Sequence, residues 1–343
     1  MEKVLMKGNE ALAEAAVRAG CKYYFGYPIT PQNEIPAYMS KRLPEVGGVF
    51  IQAESEIASI NMVYGAAATG IRAMTSSSSP GVSLMQEGLS YMAGAEIPCF
   101  VVNMMRGGPG LGNMGPSQAD YLQATKGGGH GDYNLIVLAP STVQEIIDLT
   151  IKSFDLAFKY RNPVMLLADG VLAQMSEAVT LPDFTNVNDD TNFAVGKGGA
   201  QTIIHSLYLN PDDYLEKHNL HLQEKYRKIE NELSLYEKYE TDDADVIVVA
   251  YGISARISKS AIDYLRDKDK KIGLFRPITL YPFPSKELKE ITKDKKIVVI
   301  EMGYNQLEQD VKLATGNTNL YRLNKLGGLV FKEEDIKDYL SKI

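Results

Sequence analysis

Along the first 180 residues, hydrophobic positions switch repeatedly between a helical period and short continuous runs. Residues 9–19 are rich in Ala and Glu and stop at Gly20, the pattern of a helix closed by a C-cap glycine. Residues 23–25 form a short apolar strand ending at Gly26, and residues 49–52 form a second. From about Ser55 a helix of small residues follows. Residues 72–75 read as a strand, residues 75–81 as a Ser-rich loop, and residues 82–92 as a helix. Residues 99–105 are a strongly apolar strand. Residues 135–138, an amphipathic helix over 141–159 and residues 164–167 complete the series. Continuous apolar strands separated by helices predict a parallel sheet covered on both faces.

From about residue 181 the composition turns polar, and then a long charged helix is expected to run to about residue 239. Asn210 would be its N-cap, Pro211 its first helical residue, and Asp212 and Asp213 would complement the dipole. After residue 244 the strand–helix rhythm restarts with strands at 245–250, 272–275, 297–300 and 320–323 and helices between them. The expected organisation is therefore α/β, with two doubly wound parallel-sheet domains. Residues 1–180 make the first, 181–243 a linker and helical arm, and 244–343 the second.

Charge narrows the function classes. The 36 Lys and Arg are outnumbered by 43 Asp and Glu, giving a net charge of −7 without a basic block. Phosphate attraction and counterion release would not favour nucleic acid or an anionic membrane surface. The N-terminus lacks a signal-peptide pattern, and the longest charge-free stretch, residues 57–71, is too short and too rich in Ala and Gly to span a bilayer. The two cysteines, Cys21 and Cys99, stand apart, so this chain alone holds no disulfide framework, zinc site or iron–sulfur cluster. Two sparse thiols fit a reducing cytoplasm.

Ligands of parallel sheets bind beyond the carboxyl ends of the strands, so four loops matter. In Gly26-Tyr27-Pro28-Ile29-Thr30-Pro31, two prolines stiffen a loop that can hold Thr30 as a donor to a carboxylate or carbonyl; it can equally be a stiff connection capping a helix. Glu54 and Glu56 flank Ser55 at a helix start, where acids usually only complement the dipole. Glu56, however, opens an apolar helix, and a buried lone carboxylate needs a partner. Hydroxyls and amides at residues 76–79 could receive phosphate or carboxylate, or form a mere turn. Arg106 ends the apolar strand before a glycine-rich loop, and its guanidinium suits a carboxylate bidentately. The same loop contains one literal GxGxxG, Gly110 to Gly115, but prolines crowd it and no acid follows the next strand to grip a ribose. His130 in a second glycine run could be an acid/base or merely positional, and His218 with His221 reads as a solvated pair.

Taken together and in order, these loops resemble the alpha subunit of the thiamine-diphosphate-dependent 2-oxoacid:ferredoxin oxidoreductases, over essentially the whole chain. Tyr27-Pro28-Ile29-Thr30-Pro31 matches the family's YPITP motif. Glu56 precedes Gly65 by the family spacing of nine residues, and Arg106 follows Gly81 by 25. Residues 276–284 are typical of the family's second domain. The glycine loop, with Ser117-Gln118-Ala119-Asp120-Tyr121 and residues 126–133, is most similar to the branched-chain (2-ketoisovalerate) type; the 2-oxoglutarate type is a near relative. One departure is that Gly303 and Asn305 stand where relatives usually carry Asn and Gly.

The resemblance implies a pyrimidine-binding domain followed by a transketolase-C-terminal-like domain. It implies that Glu56 meets the thiamine aminopyrimidine as the catalytic carboxylate, that Pro28 and Ile29 lie against the cofactor, and that Thr30 and Arg106 hold the substrate carboxylate. Coenzyme A would take the acyl group. Without a cysteine cluster or a GDG-then-Asn element, this chain would share thiamine diphosphate with a beta subunit carrying the diphosphate and Mg2+ half-site. Iron–sulfur clusters of the [4Fe-4S] kind would sit on partner subunits, gamma, ferredoxin-like delta or both, with ferredoxin as acceptor. Two other readings stand beside this one: a non-catalytic scaffold subunit that kept the fold, and a nucleotide-dependent dehydrogenase built on Gly110 to Gly115.

Overall fold

The computed structural model describes residues 3–196, 204–205, 207–209 and 213–343. In chain order the elements are β1 (Lys3–Lys7), α1 (Gly8–Arg18), β2 (Tyr23–Gly26), α2 (Glu34–Glu45), β3 (Val49–Gln52), α3 (Glu56–Ala67), β4 (Ala73–Ser77), α4 (Ser79–Gly94) and β5 (Phe100–Met105). Next come α5 (Tyr121–Thr125), β6 (Ile136–Leu138), α6 (Val143–Tyr160), β7 (Val164–Asp169), α7 (Gly170–Gln174), β8 (Ser176–Thr180), α8 (Tyr214–Glu232), β9 (Tyr236–Tyr239) and β10 (Val246–Val249). The chain closes with α9 (Gly252–Arg266), β11 (Ile272–Pro277), β12 (Thr279–Tyr281), α10 (Ser285–Ile291), β13 (Lys296–Glu301), α11 (Leu307–Thr315), β14 (Tyr321–Asn324) and α12 (Glu333–Leu340).

Among the described residues the first large sheet has the order β12-β6-β7-β5-β4-β2-β3, and the second β14-β13-β10-β11-β9. Every pairing in them is parallel except β12 with β6 and β9 with β11. Central strands such as β5 and β7 are buried along their whole length, which is why they read as unbroken apolar runs. Helices α1, α3, α4 and α6 pack against this sheet, their buried faces dominated by Ala, Val, Leu and Met. The α/β class with parallel sheets follows the hydrophobic pattern.

Two local expectations are corrected. The Ser-rich stretch is not a loop: Ser76 and Ser77 complete β4, and Ser79 already opens α4, so the connection is Ser78 alone. The long charged helix ends at Glu232 rather than near residue 239, because Leu233 is extended and the aromatic Tyr236 and Tyr239 pair with β11. Its expected cap residues Asn210, Pro211 and Asp212 lie outside the described residues. A small antiparallel pair, β1 with β8, also joins distant parts of the chain, from Lys3 against Thr180 to Lys7 against Ser176.

The two large sheets are stitched rather than merely adjacent. β12 adds an edge to the first sheet. The buried Arg276 on β11 forks onto Glu145 of α6 at 2.6 and 2.9 Å and reaches Glu237 of β9 at 2.7 Å. Gln118, wholly buried, donates its backbone N–H to Met302 O (2.7 Å) and its Nε2 to Tyr251 O (2.9 Å). Its Oε1 accepts from Ser254 Oγ (2.7 Å) and the Met302 N–H (2.9 Å). One glutamine side chain thus satisfies three otherwise orphaned groups across the seam.

Candidate active site

The carboxyl ends of β2, β3, β4 and β5 converge on one edge of the first sheet, as their parallel pairing requires. Beyond β2 the chain passes through exposed Tyr27 and Pro28 and half-buried Ile29 and Thr30. Gln32 ties this loop down. Its Nε2 donates to Tyr27 O (3.2 Å), and its Oε1 accepts from Ser76 Oγ (2.5 Å) at the end of β4. Thr30 Oγ1 accepts from Asn33 Nδ2 at 3.4 Å, which leaves the hydroxyl proton free to donate.

Glu56 is the first residue of α3, behind an N-cap Ser55 whose hydroxyl accepts the Ala58 N–H at 3.2 Å. Its side chain is turned inward and only 5% exposed. Among the described residues its one hydrogen bond comes from Ser77 Oγ, 3.1 Å from Oε1, and no cation pairs with it. The space it fills is made by Gly81: a Cβ there would lie 2.2 Å from Glu56 Oε1. Glu54, by contrast, is exposed and takes only the hydroxyl of Ser55.

Arg106 follows β5 and is 7% exposed. Its Nη1 donates to Thr30 O (3.0 Å) and its Nη2 to Leu111 O (3.1 Å), while its buried Nε has no partner. Among the described residues it meets no carboxylate. Its backbone is held from within by Ser79, whose Oγ accepts the Arg106 N–H (3.0 Å) and donates to Asp120 Oδ2 (2.5 Å). Asn103 completes this cluster, accepting the Ser79 N–H (3.0 Å) and donating to Asp120 (2.9 Å). Burial pushes the Asp120 carboxyl above its ordinary range, against the hydrogen bonds from Ser79 and Asn103.

The structure therefore brings Arg106 onto the Thr30 carbonyl and holds Glu56 on Ser77, two residues before the Ser79 that binds the Arg106 backbone. Pro28 and Ile29 line the same loop, the Ile29 carbonyl accepting the Gln32 N–H at 3.0 Å. Gln32 and Asn103 were not singled out from sequence; Ser79 and Asp120 stood only within the Ser run and the Ser117 to Tyr121 motif. Of the serines, Ser76, Ser77 and Ser79 spend their hydroxyls on Gln32, Glu56 and Asp120, so they form no phosphate cradle. The Gly110 to Gly115 stretch does not open a helix: Arg106 bridges back to Pro116, and the next helix, α5, starts only at Tyr121. A dinucleotide turn needs that helix N-terminus, and it is absent here. His130 is exposed, its carbonyl accepting from Ser90. His218 donates to Gly94 O at 2.6 Å, and His221 lies 3.1 Å from Glu96, far along the chain fold from this edge.

A cavity of about 420 Å³ opens beside Thr30, lined also by Pro31, Met114, Pro116, Gly170 and Gln174. A second, about 640 Å³, lies in the seam between Ser79, Pro109 and Asp120 on one side and Tyr304, Gln306 and Gly327 on the other. A larger one, about 850 Å³, separates the His130 loop from α8, and none of Thr30, Glu56 or Arg106 lines it. Size here does not follow chemistry. Among the described residues no group of three or more His, Cys, Asp or Glu side chains could hold a metal ion, and no helix is long and apolar enough to cross a membrane.

The fold itself belongs to a known class. A split-gene transketolase, solved as an inactive beta4 tetramer, superposes with a TM-score of 0.61 over 98% of this chain and 97% of that one, at 12% identity, a likeness of fold alone. The family model described as pyruvate flavodoxin/ferredoxin oxidoreductase, thiamine diphosphate-binding, matches residues 14–240, and that of pyruvate:ferredoxin oxidoreductase core domain II matches residues 244–336. The chain belongs to this family, the thiamine-diphosphate-dependent 2-oxoacid:ferredoxin oxidoreductase subunits. Ketoisovalerate oxidoreductase subunit VorB of Methanothermobacter marburgensis is 49% identical over all of this chain and 97% of its own length. The 2-oxoglutarate synthase subunit KorA of Methanocaldococcus jannaschii is 38% identical over 98% of this chain and 99% of its own. A solved 2-oxoglutarate:ferredoxin oxidoreductase from Magnetococcus marinus, with 2-oxoglutarate, coenzyme A and succinyl-CoA bound, gives a TM-score of 0.91 at 29% identity. That match covers 99% of this chain and 65% of that one.

Proposed function

We propose that the chain is the alpha subunit of an enzyme that oxidatively decarboxylates a branched-chain 2-oxoacid of the 2-ketoisovalerate kind to its acyl-CoA and CO2, reducing ferredoxin. One observation carries the reading. Glu56 and Arg106 are each more than nine-tenths buried at one sheet edge, and among the described residues neither forms an ion pair. A buried charge without a partner is costly. Such a pair supports a site completed by ligands: a protonatable heterocycle for the acid and a carboxylate for the guanidinium.

The residues fit thiamine diphosphate. Glu56 is dry, singly hydrogen-bonded and sits in a space that Gly81 leaves open, so its free acceptor capacity can receive a ring N–H of an aminopyrimidine. When bound, thiamine diphosphate supplies the nucleophilic carbon and the electron sink. Glu56 would stabilise positive charge on the ring nitrogen, in a low dielectric that strengthens the interaction. Arg106, through its unpartnered Nε and its fork, and Thr30, through its free hydroxyl proton, would orient the substrate carboxylate until it leaves as CO2.

Substrate class rests on the loop after Arg106. Residues 107–116 carry Leu111 and Met114, both exposed, and no second cation for a distal carboxylate. That favours a branched aliphatic chain over 2-oxoglutarate, in line with 49% against 38% identity to the two kinds of relative. Both cysteines are buried and unpaired, so the iron–sulfur clusters and Mg2+ belong to partners: a beta subunit with the diphosphate half-site, and gamma or ferredoxin-like delta subunits feeding ferredoxin. Exposed Ile57 and Met62 on α3 and Leu84 on α4, on the helices that bear Glu56 and Gly81, support a partner covering that face. The reduced thiols support the cytoplasm as its place of work.

The test is Glu56→Gln in the assembled enzyme. Assembly should be kept and most 2-oxoacid oxidation lost, while the isolated chain should bind thiamine diphosphate weakly and not turn over. Unchanged rates in the variant would count against the proposal.

A further inference from the structure

Between Arg106 and Pro116 the loop turns through an internal ladder: Gly107 N–H to Gly115 O (2.8 Å), Asn113 N–H to Gly107 O (2.8 Å), and the Gly115 N–H to Asn113 Oδ1 (2.9 Å). Its outer face rests on the second domain. Asn113 Nδ2 donates to Gly327 O at 2.7 Å. The rest of that contact is backbone against backbone. A Cβ at Gly115 would stand 2.4 Å from Gly328 O, and one at Gly107 would stand 2.9 Å from Gly328 N. A Cβ at Gly328 would meet Asn113 Oδ1 at 2.4 Å and Gly115 Cα at 3.0 Å, and Gly328 has a φ of +87° besides. Three glycines on two domains are thus needed for one close approach.

This contact sits directly behind the substrate grip. Arg106 Nη2 is held by the carbonyl of Leu111, which lies inside the clasped segment, and the loop's base is the Arg106–Pro116 bridge. A guanidinium aimed by carbonyls keeps its direction only while those carbonyls keep theirs.

We infer that Asn113, Gly327 and Gly328 are positioning residues, through which the second domain fixes the loop that aims the Arg106 guanidinium at the substrate carboxylate. The inference rests on the proposed role of Arg106. The second domain then has a task in substrate recognition, exercised through the loop that it clasps. The rest of the seam, Gln118 and Arg276 included, keeps the domains docked and is independent of this clasp.

The experiment is a double-mutant cycle in the complete enzyme, with the KM for the 2-oxoacid and the KM for coenzyme A measured alongside kcat. Gly328→Ala and, separately, Asn113→Ala should each raise the 2-oxoacid KM about tenfold, the effect of losing one well-aimed charge-assisted hydrogen bond. The KM for coenzyme A should stay as it is. Asn113→Asp, which keeps the acceptor for Gly115 but not the donor to Gly327, should fall on the side of Asn113→Ala. In an Arg106→Gln background the clasp variants should add nothing further, since the grip is already gone. If Arg106→Gln leaves the 2-oxoacid KM unchanged, the role of Arg106 is wrong and the inference goes with it. If Arg106→Gln raises that KM while both clasp variants leave it alone, or if the effects simply add, the grip stands and the clasp is overturned.

Discussion

The carboxylate of Glu56 occupies the space that a side chain on residue 81 would fill: a Cβ on Gly81 would stand 2.2 Å from Glu56 Oε1 and 2.1 Å from Ser77 Oγ. Acid and glycine come from different helices, α3 and α4, so neither explains the other locally. Replacing Gly81 by Ala should displace the acid or its serine, while helix propensity alone would gain about 1 kcal/mol. The two readouts are expected to part company. Thermal stability of the chain should change little, because the two effects offset. Activity of the assembled enzyme should drop by roughly tenfold or more, each factor of ten being about 1.4 kcal/mol of lost interaction.

Asn305 accounts for the unusual Glu301 to Leu307 stretch. Its φ is +55°, in the left-handed region where glycine is free and Asn is the side chain best tolerated. Immediately afterwards the Glu301 carboxylate accepts the N–H groups of Gln306 and Leu307, each at 3.1 Å, and so starts α11. Asn305→Gly should therefore be neutral or nearly so, the more because Asn305 Oδ1 is buried without a partner. Asn305→Val should lose about 1–2 kcal/mol in urea unfolding. Equal stability of the two variants would contradict the backbone argument.

What was legible in the sequence follows from range. The central strands β5, β10 and β13 could be read because burial on both faces leaves continuous apolar runs, whereas β3 is an exposed edge strand legible only from its β-branched and aromatic residues. The β1–β8 pair and the crossing of β12 into the first sheet could not, since their partners lie more than a hundred residues away and neither strand is long. Helix α2 was missed because Pro36 and Pro44 interrupt its pattern, although Pro36 falls in the first turn. At the site, Thr30, Glu56 and Arg106 were visible as odd residues at strand ends. Their supports were not: the Asp120 to Ser79 bond spans 41 positions, and nothing in either segment announces the other.

Asp169 offers a test of the seam by pH. It ends β7, and its Oδ1 accepts the N–H groups of Val171 (3.0 Å) and Leu172 (3.2 Å), starting α7. Its Oδ2 accepts the N–H of Ile253 at 3.2 Å, at the start of α9 in the second domain. Burial pushes this carboxyl up to about 6, against the pull of those backbone donors. Because the folded protein holds the proton more tightly than the unfolded chain, the group's contribution to stability is fully present below the unfolded value near 3.8. It is lost as pH rises through about 6. The loss amounts to roughly 3 kcal/mol at most, at about 1.4 kcal/mol for each pKa unit. Asp169→Asn carries no titrating group and gives up the acceptor for Ile253 at every pH. Its stability deficit against the unmodified chain should therefore be largest near pH 4 and shrink by pH 7, read as the difference between two urea-unfolding series. A deficit that stays constant across that range would mean the buried acid is not titrating in the folded protein, and that charge at this corner does not set how firmly the two domains hold.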